Sequence, residues 1–356
     1  MRWSQTGQTL CLTTSVGSVH AKMPRGWKLE RVHPAVLAMA EWMLGHRLLA
    51  AEVPSMHQVL KMEPREPGTG HLLSFSGGAD SLTAFRISDA TPVYLRRPYD
   101  SYVLRGNMIR MGSTRAVDEL VERVGAIVID NTVEQLGLMA GGRHGFQYGY
   151  GYGALLALLA DHLDAGAISF GTILEVMWFG TGDGAAAGSQ FVDIVSTPSS
   201  KWKMARAIFR VAGLELNLPV GGCSEVVTTR VGRGGVSCPT PADDGTPCGV
   251  CFKCFRKEQI LGHRIPVQRT VRRKLAHRPL KVAPSVLHAC RCAGYYPPEV
   301  EEFADLDTGW TERHFDASLD ALCSPKIAAE ARRRLAAYGI KPMSGEDVEA
   351  MQGFMR

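Results

Sequence analysis

The stretch His71–Leu82 constrains the chain more than any other part of it. Leu72, Leu73 and Phe75 form a short apolar run that reads as a buried strand. The run breaks at Ser76-Gly77-Gly78-Ala79-Asp80-Ser81, and Leu82-Thr83-Ala84-Phe85 then starts a helix. A strand, a glycine turn and a helix N-terminus aim backbone N–H groups at one point, where the helix dipole favours negative charge. Gly77 and Gly78 let the backbone approach an anion that a Cβ would crowd. Ser76 and Ser81 add hydroxyl donors, and Asp80 is placed to hold a Mg2+ that bridges phosphates. The spacing is neither the dinucleotide fingerprint nor the longer loop that ends in Gly-Lys-Ser/Thr. The expectation is a phosphate or pyrophosphate site.

Beyond this loop the chain alternates between strands and helices. Strands are expected at Pro92–Leu95, Ala126–Ile129 and Ala167–Phe170, with helical stretches at Arg115–Val124 and Gly153–Leu163 between them. This pattern predicts an α/β domain with a parallel sheet, whose ligands bind beyond the carboxyl ends of the strands. Arg96 and Arg97 end the second strand and are candidates to face phosphates or an acidic substrate, or to be a solvated pair. Glu175 and Asp183 flank a glycine-rich segment, residues 180–188, and are candidate substrate contacts. Tyr148-Gly-Tyr150-Gly-Tyr152 reads as a turn with packed tyrosines, or as a surface for stacking on a planar ring. Lys201, at the start of an amphipathic helix, is a further candidate phosphate ligand.

The second strong pattern is Cys238-x9-Cys248-x2-Cys251-x2-Cys254. Two-residue spacers let successive thiolates turn onto one ion, and Zn2+ takes four such ligands in a tetrahedron. Pro239, Pro241, Asp243, Asp244, Gly245, Pro247 and Gly249 supply the turns a metal knuckle needs. Four thiolates leave no open coordination position, so the expected role is structural. An iron–sulfur cluster competes on spacing alone.

The two motifs together carry a resemblance. Phe75-Ser-Gly-Gly-Ala-Asp-Ser81-Leu82 after an apolar strand resembles the PP-loop of the N-type ATP pyrophosphatases. Followed by Cys238…Cys248-Gly-Val-Cys251-Phe-Lys-Cys254, it resembles the 7-cyano-7-deazaguanine synthase family over residues 70–262. The resemblance implies a Rossmann-like sheet of the adenine nucleotide α hydrolase type with a zinc knuckle, ATP held by Phe75–Leu82 with Lys201, and Asp80, Ser76 and Ser81 at the reacting phosphates. It also implies the chemistry: ATP adenylates a carboxylate of a 7-carboxy-7-deazaguanine, ammonia displaces AMP to give an amide, and a second activation yields a nitrile. The sequence departs from the family after the second strand, where Tyr94-Leu-Arg96-Arg97-Pro98 replaces a Tyr-Gly-Gln segment. The family's Gly-Tyr-Pro-Asp-Cys-Arg stretch is missing, with Val176–Asp183 near its place. The ATP half of the reaction therefore carries over better than the substrate, and a specialised defence-system substrate stays open. A PP-loop tRNA sulfurtransferase and a non-catalytic ATP-binding scaffold are the rival readings.

Three regions are expected: an N-terminal extension over residues 1–70, the nucleotide domain with its knuckle over 71–262, and a basic, helical extension over 263–356. In the first, Gln8–Thr14 and Ser18–Met23 read as strands and Ala35–Ala51 as a helix. Between Phe255 and Arg291 ten Lys/Arg stand against Glu258 alone, a local excess over the whole chain's +5. Such a stretch, 256–291, can bind nucleic acid or an acidic protein face, or lie in solvent. No apolar run approaches the ~20 residues of a membrane span, and the polar opening lacks a signal-peptide core. The expected setting is the cytoplasm, where nine cysteines point to metal or catalysis before disulfides. A homodimer is left open.

Overall fold

The computed structural model describes all residues except 97–100, 105–106, 111–114, 143–149, 179–199, 281 and 355–356. The chain forms two compact units, each assembled from separated segments: Met1–Ser76, Ala90–Ser169 and Ser200–Asn217 in the first, Gly77–Asp89, Phe170–Ser199 and Leu218–Arg356 in the second.

The first unit opens with an antiparallel three-stranded sheet, β1 (Arg2–Thr6), β2 (Thr9–Thr14) and β3 (Gly17–Lys22). Leu10 and Leu12 of β2 and Val19 and Ala21 of β3 alternate inward and are buried. The expected strands at 8–14 and 18–23 are therefore present. The first one, β1, escaped sequence reading because it buries none of its residues. The helix expected over Ala35–Ala51 runs only from Pro34 to Gly45, with His33 accepting from the Ala35 N–H as its cap. Glycine is a poor helix former, and here Met1 and Val53 close over Gly45. A separate 3-10 turn, Ala50–Glu52, comes next.

The main sheet of this unit has five strands: β4 (Gly70–Phe75), β5 (Thr91–Arg96), β8 (Ile127–Asp130), β9 (Ala165–Phe170) and β10 (Glu215–Asn217). It is parallel, and its spatial order is β10-β9-β4-β5-β8. An antiparallel hairpin, β6 (Ser101–Leu104) with β7 (Asn107–Arg110), interrupts the alternation after β5 and was not anticipated. Counted along the chain, the five strands read 3-2-1-4-5 across the sheet, so the order reverses at β4. Leu72, Leu73, Phe75, Val93, Ile129 and Ile168 are all buried, as expected of parallel strands covered on both faces. Arg65 is buried beside this sheet and satisfied by Asp161 at 2.6 Å and by the carbonyls of Ala165 and Ala160.

The second unit is helical. The helix after β4 in the chain, Ala79–Arg86, lies against Glu225–Val231. Their faces are joined at Thr83, whose hydroxyl donates to the carbonyl of Thr228 at 2.9 Å. Helices Phe252–Ile260, Ala283–Ala293 and Pro325–Ala337 are among the others of this unit. Val226, Ile260 and Ala289 form a buried apolar cluster, with Phe255, Leu287 and Trp310 also fully enclosed. Among the described residues no helix is long and apolar enough to cross a membrane.

Candidate functional site

β4 ends at Phe75, Ser76 is exposed, and Gly77 takes a φ of 76°. That left-handed turn favours glycine and brings the chain into its helix at Ala79. The segment Gly232–Ser237 closes over the first turn of this helix. The Val236 N–H donates to the Gly77 carbonyl at 2.7 Å, and Ser237 Oγ accepts the Ala79 N–H at 3.0 Å. One backbone donor of the expected nest is thus already committed to a side chain. Ser81 is likewise turned inward: it is buried and its hydroxyl donates to the Gly78 carbonyl at 3.1 Å.

The fit is close. A Cβ on Gly232 would lie 2.1 Å from the Ala79 carbonyl oxygen, and one on Gly235 would lie 2.7 Å from the Ala79 nitrogen. Both obstacles are backbone and cannot swing aside. Gly232→Ala is therefore expected to cost about 2 kcal/mol, the usual range for overpacking. A thermal melt checks this: an unchanged midpoint would mean that the covering segment is not held against the helix.

Asp80 is the hub of the charges. Its Oδ1 accepts from the Thr228 hydroxyl at 2.7 Å and from Lys257 Nζ at 3.0 Å. Lys257 is only 5% exposed, whereas Asp80 keeps 33%. Lys257 Nζ also lies 3.5 Å from Glu225 Oε1, and Arg256 Nε lies 3.2 Å from Glu225 Oε2. The last pair is in ionic contact without hydrogen-bond alignment. Burial by itself would raise the Asp80 carboxyl, but the Lys257 ammonium and the Thr228 hydroxyl more than offset it and hold it below the ordinary carboxylate range. Burial works equally against the charge on Lys257, and Asp80 with Glu225 more than restores it. Both groups are ionised at neutral pH. Lys257 and Thr228 both engage Oδ1.

Glu175 has been drawn into the interior of the second unit. Both of its carboxylate oxygens accept the Glu225 N–H, at 3.0 and 3.1 Å, and Oε1 also accepts from the Ser285 hydroxyl. It caps the first residue of the Glu225–Val231 helix beside Ser224, which accepts from Val226 and Val227. Burial, helped by the nearby Glu225 charge, pushes the Glu175 carboxyl up to about 7. A raised carboxyl favours the folded state at low pH and loses that advantage as pH climbs from the unfolded value toward the folded one. Between pH 5 and 8 the wild type should therefore lose roughly 3 kcal/mol that Glu175→Gln does not lose. Melting curves across that range check the sign: a steeper decline in the variant would contradict it.

Cys238, Cys248, Cys251 and Cys254 converge, with all four sulfurs within 4.8 Å of one another. Cys251 and Cys254 Sγ are 3.4 Å apart, and Cys248 and Cys254 Sγ 3.8 Å. Zinc bonds to sulfur of about 2.3 Å give a tetrahedron with edges of about 3.8 Å, so the cluster has the size such an ion needs. Partial burial tends to raise the Cys248 thiol, but N–H groups of Val250 and Cys251, with Cys238 and Thr240, outweigh it and bring it down to about 6. The four thiols can hold a metal ion such as zinc. From Arg233 to Lys253 no residue is buried, so no apolar core of its own supports this segment.

The remaining sequence candidates are described only in part. Arg96 donates to Asp130 at 2.6 Å and lies 3.7 Å from Asp118, an ion pair within the first unit. Arg97 and Asp183 lie outside the described residues, as do residues 143–149 of the tyrosine segment and the glycine-rich segment; for Lys201 only its place in the helix Ser200–Val211 is described. Tyr150 is buried 6.2 Å from Trp202. The basic stretch is less free than its composition suggests. Arg256 and Lys257 are buried, while Arg272, Arg278 and Arg291 face Glu299, Glu302 and Asp307. Arg264, Arg269, Arg273 and Lys274 are exposed. Sequence reasoning missed Lys257, Glu225, Thr228 and Ser237. The one available signal was that Lys257 stands one helical turn after Cys254.

Comparison with protein families matches residues 204–355, less than half of the chain, to a family of unknown function (DUF6395). The matched part contains the covering segment, the cysteines and Lys257, but not the Ser76–Ser81 loop. No curated protein and no solved structure matches the chain.

Proposed function

We propose that this protein binds Mg-ATP at Phe75–Leu82 and uses it to adenylate a carboxylate, as its resemblance to the 7-cyano-7-deazaguanine synthases implies. The observation that carries the reading is the place of Asp80 in the first turn of the loop helix, with its Oδ1 fixed by Thr228 and Lys257. The sheet supports a Rossmann-like type, since its strands read 3-2-1-4-5. Doubly wound sheets bind ligands beyond the carboxyl end of the strand at which the order reverses. Here that strand, β4, runs directly into Ser76.

In this reading the substrate carboxylate oxygen attacks the α-phosphorus of ATP, and the bond to pyrophosphate breaks. The loop N–H groups other than that of Ala79, and Asp80 through the Mg2+ it would hold, would take up the charge that develops on the leaving group. Ammonia then attacks the acyl carbon, AMP leaves and an amide remains; the amide oxygen then attacks the α-phosphorus of a second ATP, pyrophosphate leaves, and loss of AMP with that oxygen and of a proton gives a nitrile. The four thiolates take no part in bond making and hold a structural zinc.

Incubation with ATP, Mg2+, ammonia and 7-carboxy-7-deazaguanine, with the products read by mass spectrometry, tests the substrate. An amide or nitrile is the expected product. AMP without a modified base would redirect the reading to another carboxylate, and ATP left intact would overturn it.

A further inference from the structure

We propose that Lys257 is a positioning residue set against Asp80 by the cysteine knuckle, so that metal occupancy of the knuckle controls how tightly the loop takes magnesium pyrophosphate. The inference rests on the nucleotide reading and adds its regulation.

Both ends of the metal-binding segment are tied to the same turn of the loop helix. At one end Cys238 adjoins Ser237, which accepts the Ala79 N–H, and Val236, which donates to Gly77. At the other end Cys251 caps the helix Phe252–Ile260, its sulfur accepting the Cys254 N–H at 3.4 Å. Lys257 stands one turn further along that helix and reaches Asp80 at 3.0 Å. Between the two ends nothing is buried, so four thiolates on one ion are what can hold the ends at a fixed spacing. Without the ion, the segment keeps its turn-forming residues and exposed side chains but has no packing to restrain it. Its two anchors on Gly77 and Ala79 are then free to leave, and the Cys251 cap at the start of the helix that carries Lys257 has no metal to fix it.

The consequence is electrostatic. With Lys257 seated, one oxygen of Asp80 is saturated and the carboxylate has a single orientation toward a cation. With Lys257 displaced, Asp80 can turn, and the first turn of the loop helix loses its nearest fixed positive charge. A charge-assisted contact of this kind is worth about tenfold or more in affinity.

Titration calorimetry with magnesium pyrophosphate tests this on the zinc-loaded protein, on the chelator-stripped protein, and on zinc-loaded Lys257→Met and Lys257→Arg. The loaded wild type should bind at least tenfold more tightly than the stripped form. Lys257→Met should lose a similar factor with its zinc in place and respond little to stripping, and Lys257→Arg should recover most of the loss. Equal affinity of the loaded and stripped forms would overturn the proposal. If stripping unfolds the protein, by near-ultraviolet circular dichroism, Lys257→Met decides: wild-type affinity in that variant would overturn it. No binding by the loaded wild type would instead sink the nucleotide reading, and this inference with it.

Discussion

Cys254→Ser is expected to release the metal and lower the melting temperature by about 10 °C. Cys254 is 3% exposed and its sulfur lies within reach of those of Cys248 and Cys251. A serine oxygen there neither matches the length of a metal–thiolate bond nor ionises at neutral pH. Structural zinc contributes about 10 kcal/mol or more to the folding of small knuckles. Here the second unit also has an apolar core of its own around Val226, Ile260 and Ala289, so only part of that contribution is lost. A loss of about 4 kcal/mol, at roughly 2–4 °C per kcal/mol for a unit of this size, gives the figure. Calorimetry together with elemental analysis checks it. Zinc in the wild type and its absence in the variant are expected; iron with sulfide would replace the zinc reading by an iron–sulfur one and favour the sulfurtransferase. A melting temperature unchanged after metal loss would mean that the knuckle is not structural.

Asp80 gives the second large effect, and here activity and stability separate. Asp80→Asn keeps an oxygen for the Thr228 hydroxyl but removes the negative charge, and should cut AMP formation by about a hundredfold or more. It also leaves Lys257 buried with Glu225 as its remaining carboxylate, which should cost about 3 kcal/mol. Adding Lys257→Met to Asp80→Asn should restore most of the stability and none of the activity. That pattern in a double-mutant cycle identifies a coupled ion pair. If Asp80→Asn retained full activity, the catalytic account would fail and the scaffold reading would gain.

The two motifs were legible because each is local. Strand β4, the glycine turn and the loop helix occupy adjacent residues, and the four cysteines fall within one short segment, so period and spacing were enough. The central strands at 91–96, 127–130 and 165–170 showed themselves as apolar runs between turn formers. β10 was not legible, since three residues give no period. The Asp80–Lys257 pair was illegible for a different reason. Its partners are 177 residues apart, and a lysine next to an arginine in a basic stretch looks like any solvated charge. Glu175 misled in the opposite direction: beside a glycine-rich segment it suggests a substrate contact, yet its carboxylate was needed to cap the buried end of a helix.

The most direct test of the central claim tracks one oxygen atom. A substrate carboxylate labelled with heavy oxygen, incubated with the protein, ATP, Mg2+ and ammonia, should pass one labelled atom to the phosphate of AMP, with pyrophosphate released in equal amount. Label found in inorganic phosphate together with ADP, or AMP free of label, would contradict adenylation of a carboxylate at this site.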